Sequence, residues 1–171
     1  MNNFTLSKER AKEGKLNLEY KMPVNILKYT KLSPSAQAPT QGSEWAAGWD
    51  LHADLEGQNL ISIPAGEVRK ISTGIAIALP QGTFGAIYAR SGMATKRGLA
   101  PANKVGVIDA DYRGPIIVAL RNESNELQYI EHGERIAQLV VQPYVNVEFY
   151  ETDNIGTTAR GEGGFGSTGN K

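Results

Sequence analysis

The sequence predicts an all-β domain with one short helix. Apolar residues recur with a period of two in short runs, Gly and Pro punctuate those runs, and helical periodicity is scarce. Residues 4–13 form a candidate short helix, capped by Ser7 and stopped by Gly14, with so little apolar surface that a loosely attached arm is expected. Leu16, Leu18 and Tyr20 then alternate with Asn17, Glu19 and Lys21 as a first strand. Ile75, Ile77 and Leu79 alternate with small residues, Pro80-Gln81-Gly82 reads as a turn, and Phe84 to Tyr88 follows as the partner strand. Ile116 to Leu120 is a continuous apolar run, expected to be a strand buried on both faces. Residues 136–141 and 145–149 are two more strands, split by Pro143. The one internal helix runs from Ser91 to Arg97, bounded by Gly98 and Pro101.

A length of 171 residues suits a single domain with a core that needs no staples. Lys and Arg number 18 against 18 Asp and Glu, so the chain lacks the basic footprint of a general nucleic-acid binder. A local basic pocket for one small anion remains open. There is no cysteine, which excludes disulfides, thiolate metal sites and a Cys nucleophile. No apolar run approaches the ~20 residues that span a bilayer, and residues 1–14 carry no signal-peptide pattern. A cytoplasmic location (host cytoplasm or nucleus if viral), without secretion or membrane attachment, is therefore expected. Of the 19 glycines, six fall within residues 156–171, which leaves a tail with almost nothing to pack.

Three segments carry candidate chemistry. Tyr88-Ala89-Arg90-Ser91-Gly92 runs from a strand into the short helix. Unpaired N–H groups at a helix start, a Ser hydroxyl and a planar Arg fork suit phosphate oxygens; a capped helix beside a surface Arg is the plainer alternative. In Gly106 to Gly114, alternation puts Val107, Asp109 and Asp111 on one face and Ile108 on the other. Asp109 is a candidate general base, while DADYRG also reads as a β-turn with an Asp111–Arg113 ion pair. Residues 160–169 mix Arg160, Phe165, Ser167 and Thr168 with glycines, as an anion nest with an aromatic cover or as a bare extension. Asp50, His52 and Asp54 share a strand face; a polar outer face is preferred to a metal trio for His52 and Asp54. His132 reads as a loop residue, and Trp45 and Trp49 as packing residues.

Together these segments resemble the five motifs of the trimeric deoxyuridine triphosphate nucleotidohydrolases, the dUTPases. The motifs are Ala47-Gly48-Trp49-Asp50-Leu51, Arg90-Ser91-Gly92-Met93-Ala94, Gly106 to Gly114, Gly133-Glu134-Arg135-Ile136-Ala137-Gln138-Leu139, and Arg160-Gly161 with Gly163 to Gly169. The family more often has Tyr at 49 and Leu at 93; both departures keep residue character. The resemblance covers residues 22–169. It implies a distorted jelly-roll, or β-clip, subunit in a homotrimer whose three sites are shared between chains. Motifs one, two and four come from one chain, three from a second and five from a third. The expected organisation is an arm at 1–21, a β domain at 22–153 and a flexible active-site tail at 154–171.

The resemblance also implies hydrolysis of dUTP to dUMP and pyrophosphate with Mg²⁺ as cofactor. This reaction keeps uracil out of DNA and supplies dUMP for dTMP synthesis. Asp109 resembles the residue that orients and deprotonates the attacking water, and Tyr112 the ring that packs on deoxyribose. Asn103 matches a position lining the uracil site, with Val107 also among the substrate-binding positions. Arg90, Ser91, Gly92 and Gln138 resemble phosphate ligands, and Asp50 the residue that steadies water on the magnesium. Arg160, Gly166, Ser167 and Thr168 resemble the γ-phosphate clamp, and Phe165 the ring over uracil. A dCTP deaminase of the same fold is the nearest rival; its catalytic Glu falls at Ala119 here, which disfavours it. A regulatory protein partner, additional to catalysis, is the rival from another class.

Overall fold

The computed structural model describes residues 26–164. The helix expected at 4–13, the strand at 16–20 and the tail positions Phe165, Gly166, Ser167 and Thr168 lie outside the described residues. Twelve short strands and one helix are described. The first seven strands are β1 (Lys28–Lys31), β2 (Thr40–Gln41), β3 (Trp49–His52), β4 (Leu60–Ile63), β5 (Val68–Ser72), β6 (Ile75–Ala78) and β7 (Thr83–Tyr88). The helix α1 (Ser91–Arg97) follows, then β8 (Leu99–Pro101), β9 (Gly106–Ile108), β10 (Ile117–Asn122), β11 (Gln128–Glu131) and β12 (Arg135–Pro143). The all-β expectation with one short helix holds, and α1 has the bounds that its Gly98 stop predicts. Gly98 takes φ 66°, and its N–H closes on the Met93 carbonyl. A side chain there would also press on Ser124, whose backbone N lies 2.9 Å from the Cβ position.

The strands form antiparallel layers. The largest sheet runs β2-β3-β12-β7-β9, a second runs β5-β10-β8, and β1 with β6 and β11 with β4 make two-stranded pairs. Alternation along each strand sends one row of side chains inward. Leu51 from β3, Ile63 from β4, Ile71 from β5, Leu120 from β10 and Ile136 from β12 meet in one core, each almost fully buried. Each such side chain contributes roughly 1.5–3 kcal/mol by leaving water.

Three strand expectations are corrected. The turn at 80–82 exists, with Gly82 at φ 78° and the Thr83 N–H on the Pro80 carbonyl at 3.2 Å. It does not make a hairpin, however. Ile75, Ala76 and Ile77 are all buried, β1 pairs with β6, and β7 enters the large sheet between β12 and β9. β10 buries only one face of its own chain: Val118, Leu120 and Asn122 point inward while Ile117 and Arg121 are exposed. Residues 145–149 form no strand. Beyond the Tyr144 N–H on the Gly82 carbonyl, at 3.1 Å, no ladder bond holds them.

Candidate active site

The site begins with a cross-strand register. Gln138 of β12 pairs with Asp50 of β3 on one side and with Tyr88 of β7 on the other. Opposed residues in a sheet project to the same face, so Asp50 and Gln138 converge beside the end of β7, where Arg90 begins α1. Gln138 donates its amide N–H to the Ala89 carbonyl at 2.9 Å. Its side chain passes under Gly48, where a Cβ would come within 2.6 Å of Gln138 Oε1. Motif one needs glycine there because of this close approach.

Arg90 occupies the N-cap position with extended backbone, φ −83° and ψ 135°, and no side chain caps the helix. The side-chain cap of the plainer alternative does not form. The first turn also holds no acidic residue, so its peptide N–H groups and partial positive charge are left for an acceptor from outside. Ser91 and Gly92 are exposed in this turn. Arg90 is anything but a loose surface cation. Its Nε donates to Asp50 Oδ1 at 2.8 Å and its Nη1 to the Arg135 carbonyl at 3.3 Å. Arg135 Nη1 in turn donates to Asp50 Oδ2 at 3.1 Å. One carboxylate thus faces two guanidinium groups, and the patch keeps a positive excess.

The second group of predicted residues surrounds β9. In the turn between β8 and β9, the Val105 N–H bonds the Asn103 carbonyl at 2.7 Å and Lys104 takes φ 65°. The Asn103 amide folds over Gly106, lying 3.5 Å from where its Cβ would be. Val107 and Asp109 are exposed, with Ile108 and Ala110 turned to the core, as the alternation predicts. The turn at 109–112 is confirmed by the Tyr112 N–H on the Asp109 carbonyl at 3.1 Å. No Asp111–Arg113 ion pair forms; Arg113 Nη1 instead donates to the carbonyls of Ala110 and Tyr112. The Tyr112 ring lies across Gly114, where a Cβ would meet its Cζ at 2.6 Å, and its hydroxyl donates to the Pro115 carbonyl at 3.1 Å.

The second group runs the length of β7, with the Asn103 turn toward the Arg90 end and Asp109 toward the other. β9 runs antiparallel to β7, with Gly106 opposite Ile87 and Ile108 opposite Gly85. Asp109 therefore lies level with Phe84, six residues before Arg90, or about 20 Å along the strand. The third predicted group, at Arg160, is exposed; its Nε donates to the Gly163 carbonyl at 2.8 Å.

His52 and Asp54 do not form a polar outer face. Both are buried. His52 Nδ1 faces the Gly133 carbonyl at 3.0 Å and Nε2 the Thr40 hydroxyl at 3.1 Å, so neither nitrogen is free for a metal. Asp54 accepts from the Ser33 hydroxyl and, at 2.7 Å, from the Ser35 hydroxyl. Among the described residues no three His, Cys, Asp or Glu side chains are grouped as a metal cage. His132, in the turn before β12, accepts the Leu55 N–H on Nδ1 at 3.2 Å. Trp45 and Trp49 are not core residues among the described part of the chain; Trp45 is 70% exposed and Trp49 42%.

Sequence reasoning gave no role to Arg135. In a regular strand Arg135 and Gln138, three positions apart, face opposite ways. A bulge between Arg135 and Ala137 brings Arg135 opposite His52, and hence to the face that carries Asp50. Strand alternation alone contains no signal for that extra residue.

Comparison with known proteins shows the family. A family model described as dUTPase matches residues 34–169. A deoxyuridine 5'-triphosphate nucleotidohydrolase of Desulfitobacterium hafniense is 47% identical over 142 residues, covering 82% of this chain and 93% of its own. The protein of the same description from Oryza sativa subsp. japonica is 42% identical over 144 residues, 84% of this chain and 81% of its own. Among solved structures, a mutant dUTPase of Staphylococcus bacteriophage 80alpha with dUpNHpp has a TM-score of 0.76 at 28% identity, covering 85% of this chain and 99% of that one.

Proposed function

The chain belongs to the dUTPase family, and from that premise we infer that it is a dUTP diphosphatase, cleaving dUTP to dUMP and pyrophosphate. One observation carries the reading. The uncapped start of α1 lies beside an arginine that Asp50 and the Arg135 carbonyl hold through Nε and Nη1. The Nη2 of Arg90, the N–H groups of Ser91 and Gly92, the Ser91 hydroxyl and Gln138 are disposed to take phosphate oxygens. Positioning and charge supply most of the catalysis in phosphoryl transfer.

In this proposal Asp109 accepts the proton of the water that attacks the α-phosphate in line, and pyrophosphate leaves. Asn103 and Val107, on the β8–β9 hairpin, receive uracil, and Tyr112 packs on the sugar. Arg160, Gly166, Ser167 and Thr168 hold the γ-phosphate, and Phe165 covers the base. Mg²⁺ suits this donor set: it keeps waters and takes phosphate oxygens with one or two carboxylates, so Asp50 is the residue that would hold it, through water. When bound, Mg²⁺ neutralises phosphate charge. Asp50 otherwise aligns Arg90 and Arg135.

We further propose a homotrimer with shared sites. Asp109 and Arg90 of one chain lie too far apart to act on one α-phosphate, so a complete site needs Asp109 from another copy. The exposed apolar residues point the same way. Ile117 on β10, and Val145, Val147, Phe149 and Ile155 beyond β12, have no cover within the described chain, and Phe149 is fully exposed. The domain plan is an arm at 1–21, the β domain at 22–153 and a tail at 154–171. No helix among the described residues is long and apolar enough to cross a membrane. We place the enzyme's action in the cytoplasm, with its nucleotide substrate.

Deamination of dCTP is disfavoured by Ala119. It sits half-buried in β10 with its carbonyl on the Ala102 N–H at 2.7 Å, and it offers no carboxylate behind the hairpin. The test is pyrophosphate release from dUTP, dCTP, dTTP and UTP in parallel. Hydrolysis of dUTP should dominate, because a hairpin paired with uracil leaves polar groups unpaired against cytosine. Equal rates on dCTP or UTP would overturn the assignment.

A further inference from the structure

Arg135, Asp50 and Arg90 form a closed ring of hydrogen bonds. The Arg135 guanidinium donates to Asp50 Oδ2, Arg90 Nε donates to Asp50 Oδ1, and Arg90 Nη1 returns to the Arg135 carbonyl. We propose that Arg135 is a positioning residue for nucleotide binding, acting through Asp50 to keep Arg90 Nη2 free for phosphate. The proposal rests on the reading of Arg90 as a phosphate ligand.

The argument is geometric. A carboxylate facing one guanidinium tends to pair with both of its parallel N–H groups. Here Asp50 does not, because its second oxygen belongs to Arg135. Without Arg135, Oδ2 is free to swing onto Arg90 and take the Nη2 that phosphate needs. The ring's charge falls at the same time, since two cations around one anion become one. Asp50 is mostly covered, with 13% of its side chain exposed, so few water molecules compete with Arg90 for a freed Oδ2. The Arg135 side chain is half exposed, so its removal leaves no buried hole. The bulge between Arg135 and Ala137 is what gives it this reach.

The test is a double-mutant cycle read by calorimetric binding of the α,β-imido analogue of dUTP with Mg²⁺, alongside turnover and melting temperature. Arg135→Gln should weaken binding about tenfold, as loss of a charge-assisted contact does, with the melting temperature little changed. Arg135→Lys should recover most of the affinity, because its ammonium still reaches Asp50. On an Asp50→Asn background, Arg135→Gln should have almost no further effect. Unchanged binding in Arg135→Gln, or full additivity with Asp50→Asn, overturns the proposal. If Arg135→Gln fails to fold, Arg135→Lys carries the cycle: any loss of binding it shows must vanish on the Asp50→Asn background, and otherwise the proposal is overturned. Arg90→Gln separates the two levels. If it leaves binding intact, the reading of Arg90 fails and the proposal with it; if it weakens binding while Arg135→Gln does not, only the role of Arg135 is lost.

Discussion

Asp54 shows how far a residue's setting can depart from its type. Its carboxyl lies below the ordinary value of 3.8 although burial, the largest single influence, pushes it up. The hydroxyls of Ser33 and Ser35, the Glu56 N–H and the nearby His132 together outweigh that push. A depressed folded-state pKa means stabilisation that is complete above the unfolded value and drains away as pH falls through the folded one. Asp54→Asn should therefore cost roughly 1–3 kcal/mol near neutral pH. Its stability should converge on that of the unaltered chain only once pH has fallen below the folded-state pKa, which lies under 3.8, as acid unfolding curves of the two proteins would show. Asp109 is the opposite case, exposed in its own chain. Asp109→Asn should leave the melting temperature unchanged and lower turnover by about 10²–10⁴; a variant keeping a tenth of turnover would refute the assignment. The exposure of Asp109 was legible in the sequence because the alternation continues one residue past β9. Asp54 was not, because the hydroxyls that draw it inward stand about twenty residues away along the chain.

At the scale of elements, the helix was the most legible part. Gly98 stops it, and a left-handed stop needs no tertiary information. The strands were harder, because period two fixes which face is inward and says nothing of which strand lies alongside. β6 and β7 look like hairpin partners and belong to different sheets. Half of the candidate site is built by β3, β7 and β12 lying side by side, and the bulge in β12 adds a residue that no periodicity foretells. The contact of Gly48 with Gln138 offers a direct test of that assembly. A methyl at 48 meets the flexible end of Gln138 rather than backbone. Gly48→Ala should thus change the melting temperature little, yet displace Gln138 and raise KM for dUTP several-fold. Calorimetry and initial rates on the same preparation would check both halves. An unchanged KM would remove Gln138 from the site.

The molecule as a whole is proposed to be a trimer near 55 kDa, three times the 18.5 kDa chain. Light scattering on the active protein checks this directly, and an active monomer would contradict it. Mixing provides the sharper experiment. Chains with Asp109→Asn and chains lacking residues 160–171 should each be nearly inactive alone. Unfolded and reassembled together in equal amounts, they should regain about a quarter of the normal sites if each site draws Asp109 and the tail from two different neighbours. No recovery would mean that one chain supplies both. The sequence carried this arrangement only through the resemblance of its motifs, since no periodicity in a single chain describes a site divided among three.

The uncovered run from Val145 to Ile155 has a consequence for the life of the protein in a cell. Among the described residues its apolar side chains have neither a ladder partner nor a cover, and in the proposed trimer another chain supplies one. A newly made chain that has not met its partners therefore displays the kind of extended apolar segment that chaperones and proteases engage and that other chains stick to. Stoichiometry would then be policed by the chain itself: surplus copies are the visible ones, and a complete assembly hides the evidence that they were ever separate.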